Sequence, residues 1–232
     1  AGLEDVPSAV VDDPRDIVHF GAQYGYPVIV KPASGTGSLG VTRLDTSDGA
    51  GPAYERARRH ALAVAEGVLV EQYLTGRLLI ANTFAENGEY VLVAISNDFF
   101  VPPRMTEVGF MVPAVTDPIE EKTVAEHVIA CLSAIGMRDG PAATEVRMTR
   151  DGPRTIECQL RLDGMNTPRM VARTLGIDLG DIWARQLVGQ AVLPRLRRQL
   201  EARRGNGLTS VSWWAYPDVD GHLVAIDGLD HA

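Results

Sequence analysis

The sequence predicts an α+β fold in which antiparallel hairpins and single helices are mixed rather than arranged in strict βαβ alternation. Three observations lead there. A β-branched run at 28–30 and an apolar run at 68–70 are bounded by proline or glycine; Asn87-Gly88 and Asp151-Gly152 each separate two strand-like runs; and a strong helix signal opens at Asp117-Pro118, between those two hairpins.

The elements follow in order. Asp13-Pro14 with Asp16, then Ile17, Val18, Phe20 and Ala22, and a stop at Gly25, predict a short amphipathic helix with a cap and proline in its first turn. Val28-Ile29-Val30 reads as a strand ending at Lys31-Pro32, because proline cannot continue a central ladder. Ser34-Gly35-Thr36-Gly37-Ser38-Leu39-Gly40 then leads into Val41 to Leu44, which alternates like a second strand and makes a hairpin with a glycine-rich tip. Helical spacing of Ala and Arg predicts a helix over 52–65, stopped at Gly67, and Val68 to Glu71 reads as a buried strand.

Residues 78–95 predict a hairpin turning at Asn87-Gly88, a pair suited to a type I′ turn. The helix after Asp117-Pro118 carries Val124, Val128, Ile129, Leu132 and Ile135 at helical spacing and stops at Gly136. Strands over 142–148 and 154–160 flank Asp151-Gly152, Thr167-Pro168 opens a helix ending at Gly176, and 178–188 reads as another. After Pro194 come a basic helix and a strand-like run over 211–216, where Trp213 and Trp214 point to opposite faces, one toward the core.

Composition narrows the function. With 232 residues, 45% apolar and 22% charged, the chain is long enough for one large or two small folded domains and too apolar to be disordered. A net charge of −8 repels nucleic acid and anionic membrane, so neither is an expected partner. Two cysteines, Cys131 and Cys158, with no run of 18 apolar residues and no signal-peptide pattern, fit a cytoplasmic enzyme with buried thiols. The five histidines have no ligand spacing between them, so zinc is not indicated. The arginines of 195–204 read as a solvated helix face.

Two motifs carry chemistry. Gly35, Gly37 and Gly40 satisfy G-x-G-x-x-G, but the run continues into a β pattern rather than a helix, unlike a dinucleotide fingerprint, and it lacks G-K-[ST]. Lys31 precedes the glycines, opposite to the kinase order, and is one of only two lysines, so a hairpin covering phosphates with its backbone N–H groups fits better than a bare surface loop. The second motif pairs Glu145 on one strand with Glu157, Gln159 and Arg161 on the next, where period two puts the latter three on one face and Cys158 and Leu160 on the other. Two carboxylates and an amide oxygen are hard ligands suited to Mg²⁺, with Arg161 as a bidentate anion donor; a solvated face with a Glu157–Arg147 cross-strand pair is the other reading.

Taken together and in order, these residues resemble the ATP-grasp superfamily of ATP-dependent carboxylate-amine ligases, in particular its amino-acid ligase branch. Tyr26 to Pro32 with Gly37 to Val41 is similar to the family's phosphate-covering hairpin, Val70 to Gly76 to its adenine-binding hinge, and Thr144-Glu145-Val146 with Ile156 to Arg161 to its metal-binding strands. The resemblance covers about residues 1–190 and implies two lobes, 1–74 and 75–193, enclosing a nucleotide, with 194–232 as a C-terminal extension.

It further implies that Lys31 contacts ATP phosphates under the amides of Gly37 and Ser38, and that Glu71, Gln72, Tyr73 and Leu74 hold adenine, mostly through backbone groups. Glu145, Glu157 and Gln159 would bind one or two Mg²⁺ (or Mn²⁺) ions, and Lys31 and Arg161 would act in catalysis, Arg161 on the transferring phosphoryl group. The implied partners are a small carboxylate and an amine, with a homo-oligomer or an N-terminal domain outside this sequence completing the assembly. A non-catalytic nucleotide-binding or regulatory domain of the same fold is the alternative. Leu78 stands where many members have a ribose-binding glutamate, Gln159 where asparagine is usual, and Asp163 where glycine is common. Arg104 and Arg147 are further candidates to clamp a substrate carboxylate.

Overall fold

A computed structural model describes residues 3, 6–63, 67–101, 105–203, 207–216, 221, 222, 224, 225 and 227. Two antiparallel sheets organise the chain, a four-stranded one of order β1-β4-β2-β3 and a six-stranded one of order β10-β7-β6-β5-β8-β9. The small sheet is built from β1 (Ser8–Val11), β2 (Val28–Pro32), β3 (Thr42–Leu44) and β4 (Val68–Gln72). Helices α1 (Pro14–Tyr24) and α2 (Ala50–His60) cover one of its faces. The cap on α1 is as expected: the Asp13 side chain accepts from the Arg15 N–H, Pro14 stands in the first turn, and Gly25 ends the helix. Alternation buries Val28 and Val30 of β2 and Val68 and Val70 of β4 against Ile17, Phe20 and Ala57, turning the intervening residues to the opposite face.

The large sheet contains β5 (Arg77–Glu86), β6 (Glu89–Phe100), β7 (Glu107–Val112), β8 (Gly140–Thr149), β9 (Gly152–Gln159) and β10 (Ser210–Trp213). Asn87 and Gly88 both have positive φ, 54° and 81°, as the expected I′ turn requires. On one face, α3 (Pro118–Ala134) buries Val124, Val128 and Leu132 against Leu79, Ala81 and Val146. Its N-terminus is held by Asp117 Oδ1, which accepts the N–H groups of Ile119 and Glu120, each at 2.8 Å. On the other, α4 (Thr167–Leu175), α5 (Leu179–Leu187) and α6 (Leu193–Arg203) pack on Phe84, Val93, Phe110 and Val112. Among the described residues no helix is long and apolar enough to cross a membrane.

Several expectations are corrected. The second helix starts at Ala50 and stops at His60 instead of spanning 52–65, because the following backbone bonds to the glycine loop: Leu62 N–H donates to Ser34 O at 3.0 Å and Ala63 N–H to Ser34 Oγ at 3.0 Å. Ile135, expected on the apolar face of α3, is its C-cap and is 56% exposed. Strands β1 and β7 were not anticipated. β7 holds Gly109 mid-strand, where a Cβ would lie 2.5 Å from the Trp213 ring, so the glycine lets β10 pass close by. Trp213 and Trp214 do diverge: the former is 60% exposed, whereas the latter packs edge-on against Phe110 with centroids 5.2 Å apart.

Candidate functional site

Between the two sheets lies a cleft of about 890 Å³. Its upper wall comes from the face of the small sheet that the alternation of β2 and β4 turns away from the helices. Lys31 and Glu71 both project there, and Lys31 Nζ sits 2.7 Å from Glu71 Oε2. The register opposes Glu71 to Ile29, so the ion pair is a diagonal one between neighbouring strands. The glycine-rich turn overhangs them. Gly37, Ser38 and Gly40 have φ of 61°, 55° and 82°, and the N–H groups of Gly37 and Ser38 have no hydrogen-bond acceptor among the described residues. Successive free amides in left-handed backbone form an anion-binding concavity.

The hinge residues Glu71, Gln72, Tyr73 and Leu74 line the same cleft. Two of their amides are engaged inside the fold: Gln72 N–H donates to Pro7 O at 3.0 Å and Tyr73 N–H to Pro27 O at 3.2 Å. Glu71 stands within the ladders of β4 to β1 and β2, and the Leu74 N–H has no acceptor among the described residues. Leu78, at the position where a ribose-binding carboxylate was expected, is an apolar, 8% exposed part of the wall.

The floor is the large sheet. Glu145 on β8 lies directly opposite Glu157 on β9, and a register shift follows immediately between Glu145 and Val146. Gln159 Nε2 donates to Glu145 Oε1 at 3.1 Å and also to Glu157 Oε1, so the three expected metal ligands converge. A half-turn of the Gln159 amide presents its oxygen at the same point. Burial, followed by the charges of Glu157, Glu107 and Asp163, pushes the Glu145 carboxyl well above the ordinary range, against the pull of Lys31. This convergence of repelling oxygens fits a divalent cation chemically. Among the described residues no group of three His, Cys, Asp or Glu is placed to hold a metal, so the amide is a needed third donor.

The arginines depart from expectation. β9 ends at Gln159, so Arg161 does not continue the alternating face; it lies on the bend beyond, lines the cleft, and donates from Nη1 to Leu162 O at 2.9 Å. Leu160, expected to point to the other face, also lies on this bend and is 57% exposed. Arg147 is not paired with Glu157. It is buried opposite Leu78 and Arg154, donates to Gly76 O at 2.9 Å, and stacks over the Phe100 ring at 4.7 Å. Arg104 lies outside the described residues. Cys131 and Cys158 are both free thiols.

Two acidic residues of the site escaped the sequence reading. Glu107, at the start of β7, lines the cleft with Oε1 3.5 Å from Ser38 Oγ, joining the glycine turn to the large sheet. Asp98 on β6 is 5% exposed, and burial, then Glu107, Glu145 and Asp163, pushes it up to about 9. Its signal was a lone acid in a strand that continues into Phe99-Phe100.

Fold and site together define a class: a two-sheet protein in which a glycine-rich, lysine-bearing hairpin faces an acidic strand pair across a cleft. The ATP-grasp domain family model (ATP-grasp_4) matches residues 24–169, which span every one of these features, and the chain belongs to that family. It is 31% identical over 214 residues to an uncharacterised protein of Sinorhizobium fredii, covering 91% of this chain and 42% of that protein. It is 34% identical over 119 residues to a D-alanine–D-alanine ligase of Streptomyces griseus, covering 47% of this chain and 29% of the ligase. The crystal structure of an L-amino acid ligase from Bacillus licheniformis matches with a TM-score of 0.67 at 23% identity, over 81% of this chain and 44% of that one, a likeness of fold. The chain thus spans less than half the length of these relatives.

Proposed function

We propose that this chain is the nucleotide-binding part of an ATP-dependent ligase that activates a small carboxylate as an acyl phosphate and couples it to an amine, releasing ADP and phosphate. One observation carries the reading: Lys31 and the free amides of Gly37 and Ser38 stand on one wall of the cleft, and Glu145, Glu157 and Gln159 stand opposite. A carboxylate becomes an electrophile once its oxygen is converted into a phosphate leaving group, and that transfer concentrates negative charge. Lys31 would neutralise part of it at the phosphates, and the turn amides would donate to them and exclude water. Arg161, free of the sheet ladder, would swing onto the transferring phosphoryl group. The adenine would lie along Glu71 to Leu74, meeting carbonyl groups and the Leu74 N–H. Glu145, Glu157 and Gln159 would hold Mg²⁺ (or Mn²⁺), which supplies charge neutralisation and orientation of phosphate oxygens. Residues 1–74 would form the smaller lobe, 75–193 the larger and 194–232 an extension.

The test is calorimetric titration of the chain with a non-hydrolysable ATP analogue, with and without Mg²⁺, followed by ADP release in the presence of carboxylate and amine panels. Mg²⁺-dependent binding with ADP release supports the ligase; Mg²⁺-dependent binding with no ADP release, even after the chain is joined to an upstream ATP-grasp partner domain, supports a regulatory domain instead.

A further inference from the structure

Charge around the cleft does not balance. Lys31 is matched by Glu71, and Glu145 and Glu157 belong to the donor set described above. Glu107, Asp163 and Asp98 face two further cations, Arg147 beside Asp98 and Arg161 beside Asp163, whose guanidinium groups donate to the carbonyl oxygens of Gly76 and Leu162 rather than to these carboxyls, so acids remain in excess.

Asp98 is the informative member. It is 5% exposed, and neither carboxylate oxygen has a hydrogen-bond partner among the described residues. A buried carboxyl without a donor is unfavourable, so its retention calls for a partner. Register gives its direction: Asp98 stands opposite Leu78 on β5 and Phe110 on β7, opposed residues project from one face, and both of these neighbours line the cleft. The carboxyl therefore lies in the sheet beneath the cleft. Asp163, after β9, lines the cleft itself; Oδ1 accepts the Gly164 N–H at 2.7 Å, and Oδ2 is buried outside hydrogen-bond geometry, with the Thr167 hydroxyl and Arg161 near enough to favour its ionised form against the cost of burial.

Asp98 and Asp163 come from separate segments, and a cation bearing several N–H donors can meet carboxyls placed on different elements. The cleft already accommodates such a group, the Arg147 guanidinium stacked on Phe100. We infer that Asp98, beneath the cleft, and Asp163, on its wall, form an organic-cation subsite that takes a guanidinium or ammonium side group of the substrate. The inference rests on the ligase reading for why a substrate enters this cleft. Asp98 is surrounded by Glu107, Glu145, Asp163 and Arg147, and a cation arriving there draws its carboxyl toward ionisation, so binding releases a proton.

The test titrates the full chain with L-arginine and with its neutral isostere L-citrulline, each with and without Mg²⁺ and the non-hydrolysable ATP analogue. L-Arginine is expected to bind at least tenfold tighter, with proton release seen as a buffer-dependent heat. Asp98→Asn or Asp163→Gly should bring arginine to the citrulline level and leave affinity for the analogue within twofold. Equal affinities for the two amino acids, or a preference that survives both substitutions, overturns the inference. So does loss of Mg²⁺ affinity in these variants with Mg²⁺ titrated alone, because the carboxyls would then belong to the metal. Should Asp98→Asn fail to fold, Asp163→Gly decides. An arginine preference without Mg²⁺-dependent nucleotide binding would sink the ligase reading and leave the cation subsite standing; the reverse would sink the subsite alone.

Discussion

Lys31 Nζ lies 2.7 Å from Glu71 Oε2, on the cleft-facing side of two adjacent strands and with both side chains about four-fifths buried. The lysine expected to meet phosphate is thus oriented by a carboxylate in the hinge. Lys31→Ala should weaken binding of the ATP analogue by roughly 10–100-fold, the range for losing a charge-assisted hydrogen bond of about 1.5–3 kcal/mol. Glu71→Gln keeps a hydrogen-bond acceptor for Lys31 and should cost much less. Calorimetry reads both, and an unaltered dissociation constant in Lys31→Ala would remove the phosphate role.

Glu157 is exposed and outside all three cores, so Glu157→Ala should leave the fold intact while abolishing the Mg²⁺ dependence of nucleotide binding and any turnover. Gln159→Asn shortens the amide by one methylene and should give an intermediate Mg²⁺ affinity. Activity in Glu157→Ala equal to the parent would reject the strand pair as the metal site.

Asp98 makes stability depend on pH in a definite direction. Its folded-state carboxyl titrates at about 9, above the unfolded value near 3.8, so the native state holds the proton more tightly. Its contribution is fully present below about pH 4 and is lost as pH rises toward 9. Asp98→Asn should flatten urea-unfolding stability across that window by about 1–3 kcal/mol, the scale for burying an unsatisfied polar group. A slope between pH 5 and 9 that is the same in both proteins would contradict this account.

Gly76 has φ of 130°, and a Cβ there would meet the backbone Met148 O at 2.1 Å, an atom held in the sheet that cannot swing aside. Gly76→Ala should destabilise by about 2–4 kcal/mol, combining an unfavourable φ with a steric clash. The strain would also disturb Arg147, which donates to Gly76 O. A change in urea midpoint corresponding to less than 1 kcal/mol would show that the end of the β5–β8 pair yields more easily than its register implies.

Leu132, on α3, is fully buried against the large sheet on the face opposite the cleft. Leu132→Ala should cost about 2–5 kcal/mol in unfolding free energy through lost burial and the cavity left behind. Nucleotide affinity at 10 °C should be unchanged; a parallel loss of binding would mean that α3 and the site are coupled.

Much of the fold was legible because its signals are local. Asp13-Pro14, Asn87-Gly88 and Asp117-Pro118 act through capping and turn geometry within a few residues, and each stands where the element boundary falls. Alternation was equally readable for β2 and β4, whose buried valines leave Lys31 and Glu71 facing away from the helices. β7 escaped because Gly109 weakens its strand pattern, and the reason for that glycine is Trp213, more than a hundred residues away.

The sequence by itself determined the order of the elements, the ordered motifs that carry the family, and the residue types of the set proposed to hold a metal, because these are properties of short segments. Only the tertiary structure decided which charges meet. It brought Glu107 to Ser38 across 69 residues, buried Asp98 among other acids, engaged Arg147 with a carbonyl oxygen instead of Glu157, and ended the second helix where Ser34 captures the chain. Pairing register, burial and electrostatic fields arise from contacts between distant segments, and periodicity along one segment carries no record of what will be packed against it.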